Sequence, residues 1–227
     1  MPAPSKHPLI FVPGLGATGE TYAPFLKDLR TRYDVRIAEL PRAFPEKLSW
    51  QFFFSPIEAA AAGAEKFMLL GHSLGGNTAL AYAARFPDRV AKVVTVGAPV
   101  LPKKGIGVRG LARFRIFRRL QNFALGLLGA NPRHALRAIR IRSEQLAGER
   151  RRALYDWINH TDLRPELGKL RNATVLWAAK EEVLAPEHFE EIRRHSNIAA
   201  RIIPGSHNNL ALNPRPIKKI IYEALGG

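Results

Sequence analysis

The sequence predicts an α/β protein: a compact, mostly parallel sheet of about six strands, crossover helices and one helical insertion. Three observations carry this reading. Short apolar runs alternate with helix-like stretches along most of the 227 residues, as expected of parallel strands joined by helices. The alternation stops between Pro99 and Pro165, where no strand-like run occurs. At Gly71-His72-Ser73-Leu74-Gly75-Gly76 an apolar run passes into a helix-forming run through a tight, glycine-rich turn.

Residues 8–12 read as the first strand. Residues 21–30 form the first helix, with Thr18 or Thr21 as its cap. Residues 33–38 are the second strand. Residues 56–63 are a short helix with proline in its first turn and glycine at its end. The third strand is 66–70, and a helix over 77–86 stops at Pro87. Residues 90–96, 173–178 and 200–203 are the fourth, fifth and sixth strands, and 216–225 is a closing helix. In the interruption, 111–128 sets Ile116, Phe117, Leu120 and Phe123 on one helical face and Arg115, Arg118 and Arg119 opposite. Residues 132–146 repeat the pattern with Leu136, Ile139 and Leu146, and Leu154, Trp157 and Ile158 make a third stripe. Residues 1–98 and 166–227 are therefore the expected core, and 99–165 a basic helical insertion.

The net charge is +16 and the pI about 10.8. Residues 103–152 hold twelve arginines and two lysines against two glutamates, a net +12. Such a segment is drawn to anionic surfaces, a membrane among them. No nucleic-acid-binding motif accompanies it, so no nucleic acid is expected. The absence of cysteine excludes disulfides, thiolate metal sites and a cysteine nucleophile. No apolar run is long enough for a signal core or a bilayer span, so a soluble, cytoplasmic protein is expected.

The turn at 71–76 reads Gly-x-Ser-x-Gly between strand and helix, the context in which a serine hydroxyl is lifted from a sheet to attack a carbonyl. A serine nucleophile needs a base, a group that orients the base, and donors for the oxyanion. In sheets of this kind the partners follow in the order serine, acid, histidine. His207, on the loop after the last strand, is the expected base. Glu181, just past the fifth strand, is the expected acid, with adjacent Glu182 and, less well placed, Asp162 as alternatives. The backbone N–H groups of Leu74 and Leu15 are the expected oxyanion donors, with Gly14 allowing the turn that aims Leu15. His72 reads as packing beneath the turn, and His188 and His195 as part of a solvated helix face.

A rival reading uses the same first loop. Gly14, Gly16 and Gly19 form Gly-x-Gly-x-x-Gly after a strand, and Glu39 follows 20 residues later, as in a dinucleotide-binding oxidoreductase. It ranks second, because Pro13 and Pro24 fit a cofactor-gripping helix poorly and it explains neither the Ser73 turn nor His207. A third reading is a non-catalytic, anionic-surface-binding protein, with arginines interleaved by Phe114, Phe117 and Phe123.

The motifs at 11–16, 71–76, 174–186 and 203–207 fall in an order that resembles the α/β-hydrolase superfamily, particularly its lipases and carboxylesterases. The resemblance covers nearly the whole chain except 99–165, where such proteins carry a variable cap or lid. It implies an α/β-hydrolase fold and cleavage of a small-molecule or lipid ester through an acyl-enzyme. The roles it implies are Ser73 as nucleophile, His207 as base, Glu181 as acid, and Leu15 and Leu74 as oxyanion donors. No metal or cofactor is implied. Acyltransferases and thioesterases share this pattern and remain open. The chain departs from it with Pro13 where many members have histidine, glutamate for the commoner aspartate, and Ala178 for a usual glycine. It also begins at what corresponds to the family's third strand.

Overall fold

Six strands pair in parallel in the order β2-β1-β3-β4-β5-β6: β1 (Leu9–Val12), β2 (Val35–Ile37), β3 (Phe67–His72), β4 (Val90–Val96), β5 (Ala173–Lys180) and β6 (Ile198–Ser206). This is a computed structural model, and it describes residues 7–41, 44–102 and 148–226. The helical stripes expected over 111–128 and 132–146 lie outside the described residues. The described helices are α1 (Ala23–Leu29), α2 (Trp50–Ala60), α3 (Leu74–Arg85), α4 (Gly148–His160), α5 (Arg164–Leu167), α6 (Glu187–Arg193), α7 (Asn209–Leu212) and α8 (Arg215–Leu225). One 3-10 turn, Gly19–Tyr22, leads into α1. Thr18 caps that turn, and its N–H donates to Thr21 Oγ1 at 3.1 Å.

The sheet is covered on both faces, which is why its strands read as nearly continuous apolar runs. Side chains alternate between two cores. Ile10, Val12, Leu69, Val93 and Val175 meet Phe53, Ile57 and Leu80 on one face. Leu9, Phe11, Leu70, Val94 and Leu176 meet Phe25, Leu29, Ile217 and Ile221 on the other. Each such side chain stabilises the fold by about 1.5–3 kcal/mol when fully buried. Leu154 and Leu163 are fully buried in the first of these cores, and Trp157 stacks on Phe53 with ring centroids 5.2 Å apart.

Helix α2 corrects an expectation. It begins at Trp50, so Pro56 lies in its interior and not in its first turn. A proline there removes the bond that the Phe52 carbonyl would accept. Ser55 Oγ donates to that carbonyl at 3.1 Å instead. The buried stripe Phe53, Phe54 and Ile57 repays the irregularity. Helix α3 starts three residues earlier than expected, directly after Ser73. Strands β5 and β6 run on to Lys180 and Ser206, which carries the acid loop and the histidine loop to the same edge of the sheet.

His188 is a second correction. It sits on α6 but is 3% exposed, not part of a solvated face. Its Nδ1 accepts the N–H groups of Val100 and Leu101, each at 3.0 Å. The Leu163 N–H donates to the Val100 carbonyl at 2.9 Å, so the chain leaving β4 and the chain approaching β5 are joined there. Among the described residues no helix is long and apolar enough to cross a membrane.

Candidate active site

The C-terminal edge of the sheet is where ligands bind in open parallel sheets. Ser73 stands there, one residue past β3, with φ 54° and ψ −122°. This is a strained conformation for a residue with a side chain, of a kind that clusters at functional sites. Its N–H donates to the Val96 carbonyl of β4 at 2.9 Å. The turn is this sharp because α3 passes directly over β1. A Cβ on Gly75 would stand 2.2 Å from the Val12 carbonyl oxygen. Leu74 is the first residue of α3, and the first N–H groups of a helix have no partner within it.

The loop after β1 lies beside this turn. Ala17 N–H donates to the Gly14 carbonyl at 3.1 Å, closing a turn with Leu15 and Gly16 at its centre. Gly16 supplies the positive φ, 67°, that the turn needs. Gly14, expected to allow the turn, contributes space. A Cβ there would stand 3.1 Å from His72 Nδ1 and 3.3 Å from Ser73 Cβ.

His207 follows β6 and is 3% exposed. Its Nδ1 lies 2.8 Å and 2.9 Å from the two carboxylate oxygens of Glu181. Both side chains are 4% exposed. The carboxylate accepts, so Nδ1 carries the hydrogen. Burial raises the Glu181 pKa, but the hydrogen bond and charge of His207 and the Val183 and Leu184 N–H groups outweigh it. The carboxyl is thereby held below its ordinary range and stays ionised. Those two N–H groups reach Glu181 Oε1 at 2.9 and 3.0 Å.

Among the contacts described, Glu182 meets the main chain of His207 and not its ring. Its Oε2 accepts the backbone N–H of His207 at 3.1 Å. Asp162 is occupied by Arg164, through the backbone N–H at 3.0 Å and the guanidinium Nε and Nη2. The hydrogen bonds to Arg164 hold its pKa low. His195, expected on a helix face, lies two residues past the end of α6, half-buried, with its Nε2 3.6 Å from Glu191.

His72 is buried beneath the turn, as expected. Burial, and then the nearby His207, lower its pKa to about 3. Two contributors were not singled out from sequence. Tyr22 O–H contacts His72 Nδ1 at 2.7 Å. Gly97, at φ 60°, makes room for the histidine ring, because a Cβ there would stand 2.8 Å from His207 Nδ1. Its place directly after β4, on the ligand-binding edge, was the one signal available.

The glycine loop that suggested a dinucleotide is committed elsewhere. Glu39 Oε1 accepts the Gly19 N–H at 2.7 Å, so this carboxylate closes the protein's own loop. Among the described residues no group of three metal-ligating side chains converges.

The sheet order, the strained serine and the helix that follows it define an α/β-hydrolase-fold protein, and a model of the alpha/beta hydrolase fold matches residues 57–127. Among curated proteins, the chain is 34% identical over 93 residues to the biotin biosynthesis bifunctional protein BioHC of Cellvibrio japonicus, covering 40% of this chain and 18% of that protein. It is 34% identical over 73 residues to the 1-acylglycerol-3-phosphate O-acyltransferase ABHD5 of Sus scrofa, covering 32% of this chain and 19% of that one. The matched stretches thus span about a fifth of the length of these relatives. Among solved structures, a bacterial membrane phospholipase A superposes with a TM-score of 0.76 at 20% identity, over 99% of this chain and 80% of that one. At that identity the likeness is one of fold.

Proposed function

We propose that the protein is a serine hydrolase that cleaves carboxylic esters through an acyl-enzyme. The observation that carries this is the strained Ser73 at the end of β3, next in sequence to His72, whose Nε2 lies 2.9 Å from the carbonyl oxygen of the buried, Glu181-paired His207. Ser73 Oγ attacks the ester carbonyl as His207 Nε2 takes its proton. Glu181 holds Nδ1–H and stabilises the imidazolium that forms. The N–H groups of Leu15 and Leu74 stabilise the tetrahedral oxyanion, each by about 3–4 kcal/mol. The imidazolium then returns its proton to the departing alcohol. Water, activated by His207, releases the acyl group from Ser73. Glu181 is preferred over Glu182 and Asp162 as the acid, because it alone of the three reaches the ring among the contacts described.

Transfer of the acyl group to an alcohol, or its removal from a thioester, uses the same machinery. The match to an acyltransferase supports the first of these. Residues 99–165 are read as a basic cap, and two observations support it. The chain leaves and re-enters beside β4, where Val100 and Leu163 are bonded. Residues 103–152 carry a net +12, which suits an anionic lipid surface near the substrate.

Nitrophenyl esters of increasing acyl length, with a fluorophosphonate probe, test the reading. Hydrolysis and single labelling, both lost in Ser73→Ala, are expected. Labelling that survives the substitution sinks the assignment. Co-sedimentation with neutral and anionic vesicles tests the surface. Equal binding to both, or binding indifferent to salt, removes that role and leaves the hydrolase intact.

A further inference from the structure

The geometry points to a positioning relay behind the proposed active site: Tyr22 fixes His72, and His72 holds the main chain of His207 in place. The relay rests on the hydrolase reading for its purpose, but its hydrogen bonds stand on their own.

Their direction is set by chemistry. His72 Nε2 lies 2.9 Å from the His207 carbonyl oxygen, which only accepts. Nε2 therefore carries the hydrogen, and Nδ1 presents a lone pair. Tyr22 O–H donates to Nδ1 at 2.7 Å. The Tyr22 oxygen in turn accepts the Gly14 N–H at 3.3 Å. The series runs from the Gly14 turn, through the phenol and the imidazole, to the peptide group after His207. Tyr22, His72 and His207 are each no more than 3% exposed. Only a neutral imidazole can accept from Tyr22 and donate to His207 together. With a pKa near 3, His72 stays neutral wherever a histidine base works.

On the other side of His207, Glu182 accepts its N–H at 3.1 Å. Both peptide groups flanking the His207 Cα are thus held by side chains from elsewhere in the chain. The stretch needs this, because Gly205 two residues earlier is at φ 94° and His207 lies just beyond the end of β6. A shift of the Cα carries the ring nitrogen with it, and a misplacement of about 1 Å costs on the order of a hundredfold in rate. His72 touches no reacting atom in the proposed mechanism. It is a positioning residue, and it ties the loop that bears Leu15 to the loop that bears His207.

The test compares His72→Leu, His72→Gln and Tyr22→Phe on a nitrophenyl butyrate, with melting temperatures measured in parallel. Glutamine keeps an N–H donor near the place of Nε2, and leucine keeps only bulk. His72→Leu is expected to lower kcat about a hundredfold with KM little changed, and His72→Gln to recover at least about tenfold of that. Tyr22→Phe is expected to lower kcat about tenfold by leaving Nδ1 and the Gly14 N–H without this partner. Equal kcat in the two His72 variants, or losses that follow the melting temperature alone, would overturn the relay. A wild-type protein that neither hydrolyses the ester nor labels at Ser73 is a failure of the hydrolase reading instead. The relay is then judged by 15N NMR of the His72 ring. A neutral ring protonated at Nε2 upholds it, and an Nδ1–H tautomer or an imidazolium at neutral pH overturns it.

Discussion

The serine turn at residues 71–76 and the histidine loop at 203–209 stand at the same edge of the sheet, and they are held by different means. The turn is shaped by its own composition. Its glycines let α3 approach β1, and the strain at Ser73 is imposed by residues within three positions of it, together with one bond to β4. The loop has little of its own beyond Asn209, whose Oδ1 accepts from the Ser206 N–H and hydroxyl, both at 3.2 Å. Its histidine is fixed by Glu181, Glu182 and His72, the last of them 135 residues away in sequence. The proposed nucleophile is thus presented by local backbone geometry, and its proposed base by tertiary hydrogen bonds. Away from Ser73 and His72 themselves, substitutions should act differently in the two places: in the turn through stability and shape, in the loop through rate.

The largest effects sharpen the comparison at its chemical ends. Ser73→Ala and His207→Ala should each lower turnover by about 10⁴–10⁶, measured as kcat on a nitrophenyl ester. Glu181→Gln should follow at up to about 10⁴, since an amide leaves the ring in the wrong tautomer. Glu182→Gln keeps an acceptor for the His207 N–H and should cost far less. The reverse order would move the acid one residue along, and indifference to both would point to Asp162.

Gly75→Ala should break the turn without touching a reacting group. The added Cβ meets backbone at 2.2 Å, which cannot rotate away, so about 3 kcal/mol or more of stability should be lost in chemical denaturation. A soluble variant of wild-type stability would show that the close approach is not required.

Acid probes the loop's side of the comparison. The pKa of His72 is 6.5 unfolded and about 3 folded. Below pH 6.5 the unfolded chain binds a proton that the folded chain refuses, so stability falls as the pH drops through that range. The lowered Glu181 carboxyl adds to the loss only below its ordinary value of 4.5. Between pH 6.5 and 4.5 His72→Gln should therefore flatten the fall in unfolding free energy measured in urea. An unchanged slope would show that His72 is not buried and neutral as described. The smallest effect is a control outside both regions. Gly63→Ala, at φ 78° with nothing within 4 Å of its Cβ, should cost about 1 kcal/mol from backbone strain alone.

The six parallel strands, the serine turn and a histidine just past the last strand were legible because each is written in short stretches. Apolar runs of strand length report burial on both faces, and glycine, serine and proline punctuate turns directly. The sequence places the start of α2 six residues late, because proline in a first turn is a common start signal. The Ser55 hydroxyl that replaces the lost hydrogen bond is visible only in three dimensions. His188 was misjudged for a similar reason. Its helix is rich in charge, but its Nδ1 satisfies two N–H groups contributed 88 and 87 residues earlier.

By itself, then, the sequence determined the architecture and the nucleophile candidate, since periodicity and local backbone preference act over a few residues. Of the two adjacent glutamates, however, sequence favours Glu181 without separating what each one bonds to. The tertiary structure sent Glu181 inward to the ring and Glu182 to the main chain of the same histidine. It also joined His72 and Tyr22 to that loop. These choices depend on which side of the chain faces the site at the end of β5, and on buried polar groups finding partners far along the chain. Only packing of the whole sheet fixes either one.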